Sequence, residues 1–284
     1  MTINRDKVFQ LFKYAIYAFL AMNVYWFFID EFASAKLQFP AGVALGDMIE
    51  AYAATIDTVA WVVLLLMFEL ETYTLDDEQF TPAVTWSLHG LRAICYVFIV
   101  YAFYGYIVNV TFFDAVATLA GVSDLCSLAA DHWSYAVSLD DYSTITAANC
   151  NSFSSAEAFL RLGMMQVVVD AAGFEALLGL AWIDVINSGV WLLVVLILEI
   201  DVYLQEHNRY AGLVLHVSSI IKAILYATLL YAAVYWGIKG SFVDFWDALL
   251  WLIAFVIIEL NVFEWQQESL QHPASPDANQ ESAR

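Results

Sequence analysis

Asp57-Thr-Val-Ala-Trp61, running on through Phe68-Glu69-Leu70-Glu71, has two counterparts: Asn187 to Trp191 leads to Glu199-Ile200-Asp201, and Asp247 to Trp251 leads to Glu259-Leu260-Asn261. In each copy a polar residue stands four positions before a Trp, and a Glu stands eight after it. The residues between each Trp and its Glu are apolar throughout, so each copy reads as a buried or membrane helix with ionisable groups at fixed depths. Asp57 and Glu69 are about 18 Å apart along a helix axis. Hydrocarbon is about 30 Å thick. At least one polar member of each copy therefore lies at membrane depth.

The rest of the chain agrees with a bilayer setting. Apolar residues make up 62% of it and charged residues 14%, with a mean hydropathy of +0.69, which takes it outside the soluble range. Stretches near 10–30, 51–72, 91–113, 181–203, 212–238 and 243–263 have the length and apolarity of spans. The first is rich in aromatics and has no small-residue cleavage site before Asp30 and Glu31, so it reads as a span rather than a cleaved signal. Arg5, Lys7, Lys13, Arg92, Arg209, Lys222 and Arg284 fall on one side of this topology, against Lys36, Arg161 and Lys239 on the other. The basic bias predicts both termini in the cytoplasm of an inner or plasma membrane protein. A net charge of −20 lacks the basic face that nucleic acid needs and excludes that class of partner.

The odd-numbered spans share a second signature: Lys13-x3-Tyr17, Arg92-x3-Tyr96 and Lys222-x3-Tyr226. From Glu69 to Arg92, and again from Glu199 to Lys222, is 23 residues. The predicted fold is an all-α integral membrane domain over 1–265, with six transmembrane helices as three tandem two-helix hairpins (about 9–73, 88–204 and 212–264). Parallel copies of this kind imply pseudo-threefold symmetry about the membrane normal. The plan resembles that of mitochondrial carriers in topology alone, without their motif spacing, and no function is drawn from it. An extracytoplasmic insertion, about 114–180, interrupts the second hairpin. Within it Leu160, Met164, Val167, Val168 and Ala171 recur at helical spacing, which predicts an amphipathic outer helix, with a re-entrant segment as the alternative. Cys126 and Cys150 both fall in this insertion, where an oxidising compartment would allow a disulfide. Cys95 reads as a small apolar filler. Residues 266–284, with two prolines and many polar residues, read as a disordered cytoplasmic tail.

Glu69, Glu199 and Glu259 sit near helix C-termini and Lys13, Arg92 and Lys222 near N-termini, each at the pole of the helix dipole that disfavours it. Mutual pairing removes both penalties. The sequence predicts an inner ring of three acid-base pairs, with Tyr17, Tyr96 and Tyr226 as hydrogen-bonding neighbours, and the Trp indoles beside Asp57, Asn187 and Asp247. Such a layer can hold the hairpins in register without chemistry, or mark a route for a small ion or proton. The function expected is a channel or transporter using that layer; the alternative is a non-transporting subunit or scaffold that binds a membrane protein partner through the insertion. The sequence offers no catalytic constellation, no metal-ligand spacing and no cofactor motif. His89 and His216 occupy different positions relative to their basic residues and do not read as paired haem ligands.

Overall fold

The computed structural model describes residues 5–255 apart from 40, 76–78, 80 and 208–211. The chain is mostly helical with a small sheet. In chain order the elements are α1 (Arg5–Gln38), α2 (Met48–Ala51), α3 (Ala53–Glu69), α4 (Pro82–Phe112), β1 (Ala117–Thr118), β2 (Ser134–Ala136), β3 (Tyr142–Thr144), α5 (Cys150–Phe153), β4 (Leu160–Arg161), β5 (Val167–Val169), α6 (Ala171–Glu206), α7 (Leu213–Lys239) and a last helix, α8, over 242–255. Among the described residues four helices, α1, α4, α6 and α7, are long and apolar enough to cross a membrane. The 17-residue α3 is shorter, and continues as a π-helical turn over Leu70–Thr74. Glu259, Asn261, Arg209, Arg284 and the tail 266–284 lie outside the described residues.

Local chemistry sets the helix starts. Thr81 accepts from the Val84 N–H, with Pro82 at the first helical position of α4, the usual use of a residue that has no N–H to satisfy. Ser241 and Asp244 form a reciprocal box at the start of α8: the hydroxyl accepts from the Asp244 N–H at 3.1 Å and donates to its carboxylate at 2.8 Å. Helix α3 packs against α1 and α4, α4 against α6, and α6 against α7. The close approach of α6 to α7 needs Gly179, where a Cβ would come within 2.3 Å of the Tyr235 hydroxyl.

The three repeated tryptophans meet at the centre. Trp61 lies 6.1 Å from Trp191 and 6.2 Å from Trp251, and Phe255 stacks into the group at 4.5 Å from Trp191. Leu20, Ile99, Val194, Leu229, Leu250 and Ala254 surround them with almost no exposure. Elsewhere Ile94, Val97, Ile220 and Ile224 are exposed, as side chains facing lipid would be.

The insertion departs from the expected amphipathic outer helix. Residues Leu160 to Val169 form a hairpin instead, β4 pairing antiparallel with β5. Its turn places Gly163 at φ 54°, a left-handed conformation that breaks a helix and suits glycine. The β-branched run Val167-Val168-Val169 favours a strand. Asp170 caps α6 by accepting the Gly173 N–H at 2.6 Å. The sheet runs β1-β4-β5-β2-β3, with β2 and β5 parallel and the other pairs antiparallel. Phe159, Leu162, Leu125, Ile145 and the three valines give this unit its own core.

Cys126 and Cys150 are bonded, with Cα atoms 4.9 Å apart and a sequence separation of 24. Closing a loop of that length stabilises by about 3 kcal/mol in the chain-entropy account. We expect Cys126→Ser to lower the unfolding free energy of the insertion by about that amount, as read by denaturant unfolding with and without reductant. Equal midpoints for oxidised and reduced wild type would contradict it.

Candidate functional site

A cavity of about 400 Å³ opens between the helices on the insertion side. Its floor is the Trp61, Trp191, Trp251 and Phe255 cluster, and the segment Ser138–Tyr142, running from the β2–β3 turn into the first residue of β3, overhangs its mouth. Nine of its lining residues are Asp or Glu, and none is Lys or Arg. A cavity with that lining attracts cations and rejects anions.

Each helix contributes in a way its own geometry dictates. From α1, Glu31 is 6% exposed and accepts the backbone N–H groups of Ala54 at 2.7 Å and Thr55 at 3.0 Å. Those amides open α3, whose N-cap Tyr52 makes no side-chain cap bond, so a carboxylate from a neighbour satisfies the helix start and its dipole. One turn further along α3, Asp57 accepts from the Tyr106 hydroxyl of α4 at 3.4 Å through Oδ2. Its Oδ1 is inaccessible and has no hydrogen-bond partner among the described residues. Asp184 on α6 accepts the Trp236 indole N–H at 3.2 Å, and Asp247 on α8 accepts from the Asn23 amide at 2.8 Å. All four acids thus meet neutral donors, which leave their charge uncompensated.

The overhanging loop adds Asp140 and Asp141. Asp140 lines the cavity while remaining exposed. Desolvation by the protein around it, with Asp244 and Asp30 adding like charge, pushes its pKa up to about 7.

The residues expected from the repeats divide into two layers. Asp57, Asn187 and Asp247 line the cavity above the indoles. Glu69 lies two turns past Trp61, about 12 Å along the axis, in a second polar layer beyond the aromatic floor. There Lys13 pairs with Glu69 at 2.6 Å, both nearly inaccessible, and the hydroxyls of Tyr14 and Tyr17 donate to the same carboxylate at 3.0 and 3.3 Å. The other two basic residues choose different acids from those expected. Arg92 pairs with Glu71 at 2.6 Å, and Lys222 with Asp201 at 2.9 Å, where Ser218 also donates at 2.7 Å. Glu199 accepts from Tyr96 at 3.3 Å, and Tyr226 packs against the central cluster. The physical reason is position on the helix: Glu71 and Asp201 sit two residues beyond Glu69 and Glu199, turned toward the following basic helix. Among the described residues no group of three or more His, Cys, Asp or Glu converges to hold a metal ion.

Asp184 and Asp244 were not singled out by the repeat, although each stands one turn before Asn187 or Asp247 and therefore on the same face. Nothing in the sequence placed Asp140 over the helices; that depends on how the insertion folds back. The chain matches no protein-family model, no curated protein and no solved structure.

Asp140 gives a pH test. An unfolded Asp releases its proton near pH 4, whereas the folded group holds it until about pH 7. Between these values the folded state binds more protons, so this residue's contribution is complete at low pH and is lost as pH rises through about 7. Asp140→Asn should therefore stabilise the protein relative to wild type at pH 8 and lose that advantage at pH 4, in thermal unfolding at low salt. A difference between the two proteins that does not change with pH would contradict the assignment.

Proposed function

We propose that this protein binds cations from the insertion side and passes a small ion or proton across an inner or plasma membrane, as a channel or transporter. The observation that carries the reading is the cavity with nine carboxylates and no basic side chain. In a low-dielectric setting, carboxylates without a base require a proton or a cation. The aromatic floor separates this chamber from the Lys13–Glu69 layer, so passage requires the Trp61, Trp191, Trp251 and Phe255 rings to part. Beyond them, Glu69 offers a buried acid already engaged with a cation and two phenols, a partner set able to exchange when charge arrives.

The same proposal includes the finer architecture: six helices as three tandem hairpins around a pseudo-threefold axis, with both termini cytoplasmic. What supports it is that residues equivalent in the three sequence copies meet. The three tryptophans form one cluster, and Arg92 with Glu71 repeats the relation of Lys222 with Asp201. The third copy carries Asn261 where the others carry those acids. The overhang of the Ser138–Tyr142 loop favours the insertion as a cover for the cavity over its use as a platform for a partner protein.

Reconstituted into liposomes, wild type should carry protons or potassium ions above the leak of empty vesicles. Asp57→Asn and Asp247→Asn should each cut that flux by about tenfold, the effect of about 1.4 kcal/mol on a barrier, with unfolding temperatures near wild type. Wild-type flux equal to that of empty vesicles would overturn the proposal.

A further inference from the structure

The cavity's carboxylates are many, yet they do not converge. Among the described residues no three ligand-type side chains come together as a metal site, whereas a hard cation such as calcium takes about six to eight oxygens at one point. The acids are instead spread along the axis. On α8, Asp244 and Asp247 are three residues apart and Trp251 follows four later; helical rise puts the two acids about 4.5 Å apart and the indole about 10 Å below the upper one. On α6 the corresponding series is Asp184, Asn187 and Trp191. Asp140 and Asp141 extend the same column to the mouth.

Between the charged levels the walls are aromatic. Trp236, Tyr106 and the floor indoles all border the same space, and indole faces attract ammonium groups while packing against methylenes. A volume of about 400 Å³ falls in the range of small-molecule sites, about 300 to 1,000 Å³, and is generous for a bare inorganic ion. Asp57, among the deep lining residues, meets only the neutral Tyr106 hydroxyl and Trp61 indole and no base.

We propose that the preferred occupant is a linear aliphatic di- or polyamine, with its ammonium groups on successive carboxylate levels and its methylene chain along the aromatic walls. This rests on the cation reading above and names its substrate class. Dispersed acids match a ligand whose charges are likewise dispersed; a single-point cation satisfies only one level and leaves the others repelling.

The test uses the full-length protein in detergent, titrated at matched ionic strength with spermidine, n-butylamine and magnesium chloride, reading tryptophan fluorescence from the cavity floor. Spermidine should bind at least about tenfold more tightly than n-butylamine, since at least two charge pairs replace one. Asp247→Asn and Asp57→Asn should each weaken spermidine binding by about tenfold. Glu157→Gln removes the same charge from an exposed position on the insertion and should leave binding unchanged. Spermidine binding no tighter than n-butylamine or magnesium, or weakened equally by Glu157→Gln, would overturn the assignment as mere surface attraction. If ion flux persists and depends on Asp57 while spermidine fails these comparisons, the polyamine falls and cation passage stands; if flux is absent as well, both fall.

Discussion

Nine carboxylates facing one confined space repel each other, and the low dielectric around them strengthens that repulsion. The fold persists because most of the inner ones are held by neutral donors: two helix-terminal amides on Glu31, the Tyr106 hydroxyl on Asp57, the Trp236 indole on Asp184 and the Asn23 amide on Asp247. Such donors fix each acid's direction and leave its charge available. A lysine or arginine in the same places would have closed the site by neutralising it. That choice separates this layer from the one beyond the tryptophans, where Lys13, Arg92 and Lys222 each have an acid partner.

The aromatic cluster is what keeps the two layers distinct. Four large rings drawn from α3, α6 and α8 fill the centre of the bundle, and packed interiors resist small deformations until they switch as a unit. The insertion adds a second boundary at the mouth. Its own core and its disulfide make it a stable cover, held directly on α6 through Asp170.

How much of this was legible in the sequence follows from which interactions are local. The Trp-centred repeat, the apolar spans and the chemistry of Asp57 and Asp247 are written at helical spacing, and residues on one helix keep their relative depths whatever the bundle does. The cysteine pairing was readable because only two cysteines share the insertion. Partner choice was not readable: Glu69 and Glu71 both offer carboxylates near the same depth, and only the rotation of α3 against α4 decides that Arg92 takes the second. The insertion misled because Leu160 to Ala171 satisfies a helical period by coincidence, while Gly163 and the valine run carried the contrary signal. Glu31 was legible only as a charge near the end of α1, since its role depends on α3 starting beside it.

The most direct test of the central claim, that the cavity acids are a cation-loading site and not a passive structural layer, is infrared difference spectroscopy of the protein in lipid as cation is added and removed at constant pH. The account predicts that cation entry shifts the carboxylate absorbance bands, and that Asp57→Asn combined with Asp247→Asn reduces that change. A wild-type spectrum that is the same with and without cation would contradict it.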